Sequence, residues 1–192
     1  MTQDWRTEYP ELAAEIREVV FSEEEIRDRV AELGVQISSD YRGLNPLLVG
    51  VLKGVLFFMA DLLRAITIPV EVDFMAVASY SPEERDQGFV RLVKDLDISI
   101  AGRHVLFVED VIDTGLTLNY LLQTLQARHP ASLNVGILFD KPAVRLIDIP
   151  LRYKGFDLPD RFVVGYGLDY RERYRNLPFV GLLKADAFQD KK

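Results

Sequence analysis

Apolar and polar positions along this chain recur with two different periods, and the switches between them outline alternating strands and helices. In SEEEIRDRVAELGVQISSDY, Ile26, Val30, Leu33 and Ile37 fall every three or four residues, the spacing of one helix face. Ser22, with Glu25 three residues on, forms a capping box at its start. NPLLVGVLKG reads as a short buried strand over about 47–51, VLFFMADLLRAI as a helix of about three turns, and VEVDFMAVASY as the next strand. SPEERDQGFVR carries charge, Pro and Gly without a period and reads as a loop. FVRLVKDL is a further strand candidate, and VLFVE is the continuous apolar run of a strand buried on both faces. LTLNYLLQTLQARH is amphipathic at helical spacing, SLNVGILFD is strand-like, and RFVVGYGLDY and FVGLL read as closing strands. Strands alternating with helices predict an α/β fold with a mostly parallel central sheet, flanking helices and right-handed crossovers.

Composition narrows the functional classes. A chain of 192 residues suits one domain with a sizeable core. It has no cysteine, so neither disulfides nor thiol chemistry enter, which fits a cytoplasmic location. No apolar stretch approaches a membrane span, and MTQDWRTEYP lacks the apolar segment of a signal peptide. The formal charge of −7 argues against general nucleic-acid affinity but leaves room for a local basic site for a small phosphorylated ligand. His104 and His129 fall at a strand edge and a helix end, and neither pattern marks a catalytic group.

The candidate chemistry is concentrated in VLFVEDVIDTGLT, residues 105–117. Its strand ends on Glu109 and Asp110, and ligands of open parallel sheets sit beyond the carboxyl ends of strands. Two adjacent like charges repel, so they call for a cation or hydroxyl donors, such as Mg²⁺ or a sugar diol. Asp113, Thr114, Gly115, Leu116 and Thr117 then lead into a helix. Gly115 lets a ligand approach the backbone, the helix start offers free amides, and the two threonines add hydroxyls. There is no Lys in this turn, so it is not a P-loop. An anion site and a diol site on one turn suggest a ribose 5-phosphate.

This stretch resembles the phosphoribosyl pyrophosphate signature of the type I phosphoribosyltransferases. The segments VLKG, VASY, VKDLD, FDKP and FVVGYGLDYRERYRNLP extend the resemblance over roughly residues 20–183, toward the hypoxanthine-guanine members of that family. The resemblance implies one phosphoribosyltransferase domain, with its core at about 40–150 and a small hood from about 1–40 and 151–192. It also implies residue roles. Lys53 and Gly54 would lie in a pyrophosphate loop, where the Leu52–Lys53 peptide can be cis. Ser79 and Tyr80 would begin a loop that closes over the reacting centre; the charged SPEERDQGFVR departs from the usual small polar residues there. Lys141 would donate to the 6-oxo group of a purine, Phe162 would stack on the base, and the Val163 backbone would bond its edge. Asp169 would ligate a second Mg²⁺ and border the purine, with Glu109 and Asp110 as the other metal candidates. Arg175, rather than Arg171 or Arg173, would grip pyrophosphate.

The activity implied is purine salvage: Mg²⁺-dependent transfer of the 5-phosphoribosyl group from phosphoribosyl pyrophosphate to hypoxanthine or guanine, giving IMP or GMP and pyrophosphate. Asp113 would act as general base at the purine N7. The implied partners are the two small-molecule substrates and further copies of the chain, as a homodimer or homotetramer, with no nucleic acid and no membrane. The rival readings are a xanthine- or adenine-preferring relative, an RNA-binding regulator built on the same fold, and a sugar-phosphate binder without chemistry.

Overall fold

The computed structural model describes residues 5–78 and 91–188. Ser79 and Tyr80, the expected start of the closing loop, lie outside them. The chain divides into two compact units, one of residues 28–160 and one of residues 1–27 with 161–192.

The larger unit is built on a six-stranded sheet: β2 (Leu47–Leu52), β3 (Glu71–Ala78), β4 (Arg91–Lys94), β5 (His104–Ile112), β6 (Ser132–Asp140) and β7 (Tyr153–Asp157), in the order β4-β3-β2-β5-β6-β7. All neighbours are parallel except β4, which runs antiparallel to β3. The central strands β2 and β5 carry continuous apolar runs because helices cover both faces of such a sheet; Leu47, Leu48, Val49, Val105, Leu106, Phe107 and Val108 are all buried. From β2 the chain moves outward to β3, whereas from β5 it moves the opposite way to β6 and β7. The order therefore reverses between β2 and β5, where open α/β sheets bind ligands.

Helix α3 (Glu23–Asp40) begins with the expected capping box. The Glu25 N–H donates to Ser22 Oγ (3.2 Å), and Ser22 N–H and Oγ–H donate to Glu25 Oε2 (2.8 and 2.7 Å). These bonds, backbone first, hold the Glu25 carboxyl below its ordinary range. Ile26, Val30, Leu33 and Ile37 form its buried face. Helix α4 (Leu56–Ala65) buries Phe58, Met59 and Leu62, each contributing about 1.5–3 kcal/mol. The two helices approach closely at Gly34: a Cβ there would stand 2.5 Å from the Cβ of Ala65. At the end strand β7, Arg29 donates to the carbonyls of Lys154 (2.6 Å) and Gly155 (3.2 Å). Helix α5 (Leu116–Gln126) buries Leu118, Leu121 and Leu125.

One buried acid in this unit is structural. Asp73 on β3 is 6% exposed. Burial alone would raise its pKa, but backbone N–H donors of Phe74, Ile98 and Asp97, with Lys94, outweigh this and lower it.

The smaller unit holds helices α1 (Trp5–Glu8) and α2 (Pro10–Ala13), a short 3₁₀ turn (Ala185–Phe188), and an antiparallel sheet in the order β1-β9-β8. Its strands are β1 (Ile16–Phe21), β8 (Val163–Val164) and β9 (Val180–Leu183). Ile16, Val164, Tyr174, Leu177, Phe179 and Leu183 form its core. Two readings are corrected here. RFVVGYGLDY is a strand only at Val163–Val164, because Gly165 and Gly167 take positive φ (102° and 97°) and turn the chain. A side chain at 165 would also overlap the Phe179 carbonyl. IREVVF and YKGFD, in contrast, are strands (β1 and β7) that the sequence reading passes over.

Candidate active site

Lys53 and Gly54 follow β2, and the Leu52–Lys53 peptide is cis, as the resemblance allows. Pairing between β2 and β5 ends at Gly50 and Val108. Beyond it, the Gly54 backbone lies directly under the Asp110 carboxylate, which any side chain at 54 would overlap. Glycine here is what lets a buried acid sit against the first loop.

Glu109 points elsewhere. Its Oε2 is fully buried without a hydrogen-bond partner. Burial, then the neighbouring Asp110 charge, push its carboxyl well above the ordinary range, opposed by a hydrogen bond from the Val51 backbone. A buried carboxylate oxygen lacking a partner, next to a second acid, is the donor set a cation with its own oxygen ligands would complete. The described residues hold no cluster of three or more acidic, His or Cys side chains able to hold a metal by themselves. Glu109 and Asp110 are the residues here that would hold Mg²⁺, with ligand oxygens supplying the rest of its shell.

The turn after β5 is an open helix start. Gly115 takes φ 81° as the N-cap of α5, and no side chain caps the helix. The Leu116 N–H reaches Thr114 Oγ1 only at 3.4 Å. The amides at the head of the helix, with Thr114 and Thr117, thus form a cradle suited to a phosphate. Behind the turn, Leu146 N–H donates to the Thr114 carbonyl (3.0 Å).

The register of β5 and β6 brings the remaining groups together. Ile112 stands opposite Asp140, and Lys141 N–H donates to the Ile112 carbonyl (3.1 Å). Asp113 and Lys141 are therefore neighbours one residue past paired strand ends, and Lys141 Nζ lies 2.7 Å from Asp113 Oδ1. The sequence reading treats these residues separately; only the parallel register of the two strands pairs them. It also passes over Asp140, which is buried at the end of β6. Arg145 Nε (3.6 Å) and Lys154 Nζ (3.7 Å) flank its carboxylate. The acid between an apolar run and Lys141 in LFDK was the available signal.

The other expected residues lie in the smaller unit. Phe162 is 48% exposed, and Val163 is buried in β8. Asp169 Oδ1 pairs with Arg175 Nη2 (2.8 Å), and its Oδ2 accepts the Glu172 N–H (2.9 Å). Arg175 also donates to the Gly167 carbonyl (2.7 Å) and Glu172 (3.3 Å), while its buried Nε has no hydrogen-bond partner. His104 opens β5 with its Nδ1 2.9 Å from Ser132 Oγ, a strand-to-strand contact.

Known proteins resemble this chain over most of its length. Residues 20–171 match the phosphoribosyl transferase domain. A hypoxanthine-guanine phosphoribosyltransferase of Streptococcus agalactiae is 50% identical over 177 residues, 92% of this chain and 98% of that protein. One from Bacillus subtilis is 49% identical over 175 residues, 91% of this chain and 97% of that protein. A crystal structure of a hypoxanthine phosphoribosyltransferase from Staphylococcus aureus superposes with a TM-score of 0.86 at 44% identity, covering 92% of this chain and 98% of that one.

Proposed function

The chain belongs to the phosphoribosyltransferase family, and from that premise we propose that it is a purine salvage enzyme, transferring the 5-phosphoribosyl group of phosphoribosyl pyrophosphate to hypoxanthine or guanine. The observation that carries the base specificity is the Lys141–Asp113 pair. A 6-oxopurine presents a carbonyl acceptor at O6 beside a proton at N7. An ammonium and a carboxylate side by side match that edge donor for acceptor, with charge assistance on both bonds. An adenine amino group would meet a cation instead.

In the reaction, N9 of the base bonds to C1′ as the C1′–oxygen bond to pyrophosphate breaks, and the bonding pair leaves with pyrophosphate. Positive charge grows on the sugar, as in glycoside hydrolysis. Asp113 takes the N7 proton, its value lying in position and exclusion of water rather than in intrinsic basicity. Glu109 and Asp110 hold the ribose hydroxyls, while the amides at the head of α5, with Thr114 and Thr117, hold the 5-phosphate. Lys53 and Arg175 are each assigned to the departing pyrophosphate, Arg175 after exchanging part of its bonding within its own segment. Phe162 stacks on the base, an interaction of about 1–3 kcal/mol, and the Val163 backbone bonds its edge. Mg²⁺, with Glu109, Asp110 and Asp169 as its candidate ligands, would neutralise pyrophosphate charge. A cytoplasmic location, a homodimeric or homotetrameric assembly, the hood and a closing loop from Ser79 and Tyr80 remain part of the proposal.

Ultraviolet-monitored conversion of hypoxanthine, guanine, xanthine and adenine with phosphoribosyl pyrophosphate, with and without Mg²⁺, tests this reading. Turnover of hypoxanthine or guanine that a chelator abolishes is expected. Preferred turnover of adenine would overturn the assignment of Lys141.

A further inference from the structure

We propose that Phe188 and Tyr170 are positioning residues for purine recognition: they fix the plane of the Phe162 ring before the base arrives. The inference rests on the base-stacking role of Phe162 given above.

Phe162 lies at the entry to β8, and nearly half of its surface is open to a ligand. It is not a free ring. Its centroid lies 5.6 Å from that of Tyr170 with the planes at 82°, and 5.6 Å from that of Phe188 at 87°. Tyr170 and Phe188 close the triangle at 5.1 Å and 67°. Each separation and angle suits an edge-to-face aromatic pair. Two near-perpendicular neighbours constrain the ring more than one would, since rotation that keeps one contact breaks the other. The Arg171 guanidinium lies 5.2 Å from the Tyr170 centroid and holds that second ring in turn.

Phe188 stands at the end of the 3₁₀ turn Ala185–Phe188, 26 positions from Phe162 in sequence, and remains 40% exposed. A ring this exposed adds little to a core. The smaller unit's core is made by other residues, among them Tyr174, Leu177 and Phe179. Among the described residues, its ring contacts are with the stacking ring and its neighbour. A ring already held in its bound orientation loses less freedom when the base docks, so the gain appears in base affinity rather than in the chemical step.

The test is steady-state kinetics of the full chain and of Phe188→Ala and Phe188→Tyr, varying hypoxanthine and phosphoribosyl pyrophosphate separately, with Tm measured alongside. For Phe188→Ala a KM for hypoxanthine about 3- to 10-fold higher is expected, with kcat, the KM for phosphoribosyl pyrophosphate and Tm unchanged. Phe188→Tyr, which keeps the ring, restores the wild-type KM. An unchanged hypoxanthine KM in Phe188→Ala overturns the inference. So does a parallel rise in both KM values or a lowered Tm, which would mark a merely structural role. A wild-type chain without purine turnover overturns the proposed function and this inference together, whereas an active wild type beside an unaffected variant overturns this inference alone.

Discussion

Lys141 and Asp113 meet at 2.7 Å, and at the scale of single residues the proposed function has this contact join recognition of the base to proton transfer. Asp113→Asn keeps the shape of the carboxylate and removes its capacity to take a proton. Steady-state kinetics should show kcat lower by about 10²–10⁴-fold with purine KM changed little; turnover at the wild-type rate would remove Asp113 from the mechanism. Glu109 allows a prediction about pH. Its folded pKa is raised above the ordinary value near 4.5, so above that pH the native state keeps a proton the unfolded chain has lost. Unfolding then releases it, and stability falls as pH climbs from about 4.5 toward the folded value. Glu109→Gln has no such proton to lose. Denaturant titrations of the unliganded protein should show its advantage over wild type growing between acid and neutral pH, and parallel curves would contradict the assignment.

At the scale of elements, what could be read from the sequence depended on how local the cause was. Helix α3 was legible because its capping box and its Ile26–Ile37 stripe are fixed by neighbours three or four residues apart. Strand β5 and its turn were legible for the same reason, since Glu109 through Thr117 form one continuous stretch. Strands β1 and β7 were not, because IREVVF and YKGFD bury only one residue each and show no clean alternation. The Lys141–Asp113 contact was hidden too, because it follows from the register of β5 on β6 rather than from spacing. The close approach of α3 and α4 is equally invisible in sequence, where Gly34 looks like a mild helix weakener. Gly34→Ala would improve helix propensity yet drive a methyl into Ala65. The clash should dominate, costing about 1–3 kcal/mol and lowering Tm by roughly 2–10 °C in a thermal melt. A raised Tm would show that the two helices simply move apart.

At the scale of the whole molecule, the proposed roles are spread along a chain of 192 residues and call for one ligand. Phosphoribosyl pyrophosphate with Mg²⁺ should bind the folded chain alone. At about 100 times its Kd it should stabilise the fold by about 2.7 kcal/mol, a rise in Tm of roughly 5–10 °C. Differential scanning fluorimetry can read this, and an equal rise with Mg²⁺ alone would point to a different site. The net charge of −7 keeps the bulk surface repulsive to polyanions, so the basic groups that matter are few and local.

One consequence reaches beyond catalysis. A sheet that stops at an end strand invites a foreign strand to continue it, the first step of fibrillar growth. On β7 the guanidinium of Arg29 already bonds the carbonyls of Lys154 and Gly155, so a cation of this chain competes for backbone acceptors of its own end strand.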